Sequence, residues 1–232
     1  MTVDRYWCEY AWLGGAEVAS GVTIEVAGDR IAAVTDGADE PPDGSTKLSG
    51  LTLPALANAH SHAFHRALRG RTHGDRGSFW TWRDLMYSVA GRLDPESYGA
   101  LARAVFAEMA QAGVGVLGEF HYVHHRPDGS PHDDPNAVGL ALVDAARDVG
   151  IRLTLLDTLY LYGGFDATGH RPLQPEQLRF GDRGPEAWVE RVDALHTDTA
   201  DPLVVVGAAI HSVRAVDPTG IEAAAAWSDR HA

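Results

Sequence analysis

One cysteine, Cys8, is all that 232 residues contain. A single thiol excludes an internal disulfide, a cysteine-rich zinc knuckle and a dithiol redox pair, and it fits a reducing, cytoplasmic setting. Positive charge is scarce as well, with 19 Lys and Arg against 32 Asp and Glu and a formal net charge of -13. Such a surface repels phosphate backbones and anionic lipid, so neither nucleic acid nor a membrane is an expected partner. No apolar run approaches the roughly 18 residues that span a bilayer. The opening MTVDRYWCEYAWLGG carries early charges where an export signal needs an apolar core. Nucleotide and serine-hydrolase signatures are missing too. GVGVLGEF has glycines near an apolar run but no helix follows it, and there is neither a G-x-x-x-x-G-K-[ST] loop nor a G-x-S-x-G elbow.

What is present is the texture of a globular α/β protein, 45% hydrophobic and 22% charged. Residues 1–50 read as short strands with turns: GVTIEVAGD and RIAAVTDG alternate in polarity around a Gly-Asp turn, which predicts a small β module. From Leu51 the pattern changes to non-alternating apolar runs, LTLPALANAH, GVGVLGEFH, IRLTLLDTLY and PLVVVGAAIH, as buried parallel strands show. Asp94-Pro95, Asp134-Pro135, Gly184-Pro185 and Asp217-Pro218 each read as a helix start. Behind them lie helical spacings such as Tyr98, Leu101, Val105 and Met109, stopped by Gly113, and Val138, Leu142, Ala145 and Val149, stopped by Gly150. Four strand-helix units over 51–232 result. They fit the first half of a (β/α)₈ barrel or an open doubly wound sheet, and periodicity does not choose between these.

The chemistry concentrates at strand ends. Asn58-Ala59-His60-Ser61-His62 closes the first run, and alternate residues of a strand project to one side, so His60 and His62 can face one ion. Two neutral imidazoles suit zinc, and iron or another divalent metal also accepts them. His-x-His also arises by chance in a chain with 12 histidines. Its place at the C-terminal end of a strand is what favours a site, since barrel active sites lie there. Glu119-Phe120-His121-Tyr122-Val123-His124-His125 ends the second run and His211-Ser212-Val213-Arg214 the fourth. If the strands are parallel, all three clusters meet in one cleft holding imidazoles, an arginine, a tyrosine and a carboxylate. In FWTWRDLMY, the side chains of Phe79, Trp80 and Met86 read as helix packing, and Arg83 as a fork for a carboxylate.

The run LPALANAHSHAFHRALRG resembles the first barrel strand of the amidohydrolase superfamily. FWTWRDLMY, GEFHYVHH, LTLLDTLYLYGGF and AAIHSVRAVDP together resemble successive landmarks of its formimidoylglutamate deiminase family, over roughly residues 50–218. The resemblance implies an amidohydrolase-type barrel behind a small β-sandwich segment, and a zinc-dependent hydrolase of histidine degradation. That enzyme turns N-formimidoyl-L-glutamate into N-formyl-L-glutamate and ammonia. By the same resemblance His60 and His62 are metal ligands, and His65, Arg83, Tyr122, His211 and Arg214 contact a small substrate bearing carboxylates. His65 departs from the family, which usually has glutamine there. The family's remaining groups are a further zinc-binding histidine with a glutamate, a catalytic histidine and a metal-binding aspartate, from its fifth, sixth and eighth strands. They are expected beyond Ala232, so the chain reads as an N-terminal half, inactive alone, that forms a homo-oligomer or joins a complementing C-terminal half. Two other readings stay open: an amidohydrolase deaminase or chlorohydrolase for a cyclic amidine or triazine, and a non-catalytic half-barrel used for assembly.

Overall fold

The computed structural model describes residues 2–72, 78–199 and 201–231. The chain folds as two compact units, Met1–Leu56 and Ala57–Ala232. The first contains β1 (Val3–Ala11), β2 (Ala19–Ala27), β3 (Arg30–Thr35) and β4 (Thr46–Thr52) in one sheet ordered β3-β2-β1-β4. β1 runs antiparallel to β2 and parallel to β4. The Gly-Asp turn joins β2 to β3, with Gly28 at φ 64°, a left-handed backbone that glycine takes without a Cβ clash. Cys8, Ala11 and Val22 form its buried apolar cluster, packed by Ala19, Ile24 and Leu48. Cys8 thus acts as a small hydrophobe.

The second unit alternates strands and helices: β5 (Leu56–Ser61), a 3₁₀ turn (Ala63–Leu68), α1 (Phe79–Ala90), α2 (Pro95–Gln111), β6 (Val114–His121), α3 (Ala137–Val149) and β7 (Arg152–Leu159). After β7 come a small hairpin, β8 (Gly164–Asp166) with β9 (Gly169–Arg171), a second 3₁₀ turn (Pro175–Phe180), α4 (Pro185–Asp198), β10 (Val204–Ile210) and α5 (Pro218–His231). The main sheet has the order β10-β7-β6-β5, and β6, β7 and β10 are parallel. Each strand lies beside its predecessor in the chain, with no reversal of order. A doubly wound sheet requires such a reversal, so the order is that of a barrel wall. The helices pack through Leu142, Val143, Ala146, Trp188, Val192 and Leu195 into one buried core with Leu117, Leu153 and Leu155.

Three local expectations change. The run LTLPALANAH is two strands, because Leu51 and Thr52 complete the first unit's sheet and Pro54, without an N–H, separates them from β5. Asp94 does cap α2, in a reciprocal box with Ser97, but Asp134-Pro135 lies outside α3. There Asp134 accepts from Asn136 N at 2.8 Å, and the helix begins at Ala137. Phe79 and Trp80, read as packing residues, are 62% and 60% exposed on α1, whereas Met86 is buried. The polar stretch ahead of α1 includes residues 73–77, outside the described ones. Among the described residues no helix is long and apolar enough to cross a membrane.

Gly118 lets β6 approach β5. A Cβ built there would stand 3.0 Å from the Ala59 carbonyl oxygen and 3.3 Å from its carbon. Gly118→Ala should therefore force the strands apart at the root of the cleft and cost about 1–3 kcal/mol. Comparing urea midpoints of the two proteins measures this, and an unchanged midpoint would mean the strands yield freely.

Candidate active site

His60 lies near the end of β5 and His62 just beyond it, and their Nε2 atoms lie 3.0 Å apart. His62 Nδ1–H donates to the Phe120 carbonyl at 3.1 Å, since an oxygen acceptor requires the proton on nitrogen. That bond fixes the tautomer and leaves the Nε2 lone pair turned to His60. Burial lowers the His62 pKa, the Phe120 bond partly offsets this, and the neighbouring His60 lowers it further. Among the described residues no third His, Cys, Asp or Glu joins this pair as a close ligand set.

Around them the rings form a continuous wall. The His65 ring lies 4.5 Å from that of His62, tilted against it, and its Nε2 meets the Tyr122 hydroxyl at 3.0 Å. Tyr122 lies 5.6 Å from His62 and 5.3 Å from His211, measured between ring centroids. Burial, then the charges of His62 and His60, takes His65 down to about 3. Burial, then Arg214 and His62, takes His211 down to about 4. Both imidazoles are therefore neutral at pH 7 and serve as hydrogen-bonding groups. Tyr122 is shifted upward by burial and keeps its proton.

His211 also opens onto a cavity of about 260 Å³ whose lining includes Arg83, Tyr160, Tyr162, Gln177 and Arg214. Arg83 stacks on Trp80 at 4.5 Å and faces Tyr87 at 5.5 Å. Its Nε and the Nδ1 of His211 are buried with no hydrogen-bond partner. Two orphaned polar atoms in one arginine-lined cavity are the groups a polar, anionic ligand would satisfy. The structure thus brings His60, His62, His65, Tyr122 and His211 into one ring cluster, and sets Arg83 and Arg214 on the adjoining cavity.

The second polar cluster divides between the two faces of the sheet. Phe120 and Tyr122 face the cleft, while Glu119 and His121 alternate onto the helix side with period two. Glu119 is fully buried, accepting from Ala63 N at 2.6 Å, so the cleft has no carboxylate from this strand. His124 is likewise directed away, bonding the Thr158 carbonyl at 2.9 Å. Sequence reading also missed Tyr160 and Gln177. The Tyr160 ring lies 4.5 Å from that of His211, tilted by 47°, and the buried Gln177 amide donates to the hydroxyls of Tyr160 at 2.9 Å and Tyr87 at 3.2 Å. The tyrosine at the end of β7 was a visible signal; the glutamine in a 3₁₀ turn gave none.

Residues 51–231 match the amidohydrolase family. Over 206 residues the chain is 39% identical to formimidoylglutamate deiminase of Pseudomonas aeruginosa, covering 88% of this chain and 44% of that protein. Among solved structures, an amidohydrolase from Brucella melitensis superposes with a TM-score of 0.87 at 30% identity, over 97% of this chain and 49% of that one. An atrazine chlorohydrolase from Arthrobacter aurescens, crystallised with zinc, superposes at 0.75 and 19% identity over 97% of this chain and 50% of its own, a likeness of fold. The chain spans about half the length of these relatives. A family match that runs from the last residues of β4 through α5, laid over a sheet whose strands follow one another in barrel order, leaves one assignment: the chain belongs to the amidohydrolase family.

Proposed function

We propose that this cleft is the substrate-binding part of a metal-dependent deiminase that hydrolyses N-formimidoyl-L-glutamate to N-formyl-L-glutamate and ammonia, in a reducing, cytoplasmic setting. The observation that carries the reading is the pairing of His60 and His62 at 3.0 Å beside a cavity lined by Arg83 and Arg214. The residues fit a metal: the Nε2 atoms converge, and the Phe120 carbonyl selects the ligating tautomer of His62. His60 and His62 would hold it, with further donors from outside the described residues or from a partner chain. Catalytic zinc commonly takes three protein ligands. When bound, zinc or a similar ion supplies Lewis-acid activation of water for attack on the amidine carbon.

The chain's own residues bind and orient. Arg83 and Arg214 offer forked donors to the two carboxylates of the substrate. His65 and His211, neutral at pH 7 by burial, and the Tyr122 hydroxyl hydrogen-bond near the reacting end without competing for charge. The aromatic wall of Tyr122, Phe120 and Tyr160 excludes water, which strengthens those bonds. Two arginines also favour a dicarboxylate over a neutral triazine.

Ammonia release by the metal-loaded full-length protein tests this, with formimidoylglutamate compared against formimidoylglycine and a triazine. Formimidoylglutamate should be preferred, and triazine turnover alone would reject the reading. Arg214→Lys keeps the charge but loses the fork, so kcat/KM should fall about 10–100-fold, equivalent to roughly 1.4–2.8 kcal/mol. Arg214 is exposed, so the urea midpoint should stay put. Unchanged kinetics would return Arg214 to the solvated surface.

A further inference from the structure

Away from the cleft, on the helix side of the sheet, His121, His124 and Asp157 each bring one donor atom to within 4.8 Å of the others. All three are buried, at 1% exposure or less. The register is the cause: His121 on β6 pairs directly with Asp157 on β7, so both side chains leave one face of the sheet. His124 folds back over them, its ring perpendicular to that of His121 with centroids 4.8 Å apart.

The bond from His124 Nε2–H to Thr158 leaves a lone pair on His124 Nδ1, 3.9 Å from Asp157 Oδ2. That Nδ1 and the Nδ1 of His121 are both buried with no hydrogen-bond partner. The His124 lone pair facing a carboxylate in a dry interior is unfavourable unless something positive lies between them. The surrounding charge points the same way, because Asp157 and Asp182 share the one guanidinium of Arg191.

We propose that His121 Nδ1, His124 Nδ1 and Asp157 Oδ2 form a second metal site, distinct from His60 and His62, for a structural divalent transition metal such as zinc. Two imidazoles and one carboxylate are a donor set zinc accepts. Both ligating side chains with fixed geometry already have outer partners: Thr158 orients His124, while Arg191 and Trp188 orient Asp157. With metal–ligand distances near 2.0–2.2 Å, donors on one ion stand roughly 3.3–3.6 Å apart, so the set contracts by about 1 Å on binding. His121 Nδ1 has no hydrogen bond to break on turning toward the ion. A cavity of about 680 Å³ lined by Asp133, Asp134, Asp182 and Arg191 lies beside the cluster, Arg191 bonding Asp157 as well as Asp182.

The test uses zinc alone as probe. Crystals of the unsubstituted chain soaked in zinc should give an anomalous peak among His121, His124 and Asp157. In parallel, protein carrying His60→Ala and His62→Ala, stripped with chelator, reloaded and dialysed, should retain about one zinc per chain. Adding His121→Asn should remove it. A water at this position without anomalous signal, a peak at His60 and His62 only, or retention that ignores His121→Asn would each overturn the proposal. Because the cleft pair is deleted in the second arm, failure here leaves the deiminase reading untouched, and failure of that reading leaves this one.

Discussion

Arg191→Leu should destabilise the protein by about 3–5 kcal/mol, the cost of leaving buried carboxylates without their counter-ion. Arg191 is 7% exposed and donates to both oxygens of Asp157 at 2.8 and 2.9 Å and to both oxygens of Asp182 at 3.0 and 2.9 Å. Burial pulls both carboxyls upward, yet the guanidinium more than offsets this and holds each below the ordinary carboxylate range. A leucine removes four hydrogen bonds and the one guanidinium those groups share, so two buried charges lose their counter-ion. Lysine at this position keeps the charge without the double fork, and should fall between. The double variant with Asp182→Asn should lose less than the sum of its parts, because one uncompensated charge has gone with its partner. Urea unfolding of the unsubstituted protein, Arg191→Leu, Asp182→Asn and the double variant measures this, and additive losses would mean that Arg191 and Asp182 contribute independently.

That ion pair also shows where sequence reading stops. Asp157 interrupts the apolar run IRLTLLDTLY, which marks it as a carboxylate in need of a partner, but nothing in the sequence singles out Arg191 among the arginines that follow. Strand ends and the pairing of His60 with His62 were legible because both depend on period two within one segment. The capping box at Asp94 was legible for the same local reason, whereas Asp134-Pro135 misled because the cap can shift by two residues to Asn136. Faces were another matter. A strand buried on both sides is apolar throughout, so its sequence does not encode which side lines the cleft. Hence Tyr122 fell in the site as read while Glu119, His121 and His124 fell behind the sheet. The barrel order itself became visible only through strand pairing, which is a non-local property.

Lowering the pH from 7 to 5 should remove at least about 4 kcal/mol of stability from the metal-free protein, well before its ion pairs titrate. Burial takes His65 down to about 3 and His124 and His211 down to about 4. Unfolded, each would accept a proton near pH 6.5, so each costs about 2 kcal/mol across this interval. The sign follows from the depressed folded value: the contribution is complete above about 6.5 and is lost as pH falls toward the folded value. Glu119 opposes them. Burial raises its carboxyl to about 7, so it takes up its proton in the folded state first and gains about 2 kcal/mol over the same range. These three imidazoles outweigh one carboxyl, and His121 and His62, whose pKa values burial also lowers, add to the loss, while Asp157 and Asp182, held low against burial by Arg191, stay charged throughout. Urea midpoints at pH 7, 6 and 5 with chelator present measure the slope. Glu119→Gln removes the opposing group, so its loss over the same interval should grow by about 2 kcal/mol. A flat profile for both proteins would mean that the imidazoles already hold protons when folded, and would remove the ground for treating His65 and His211 as neutral partners of a substrate.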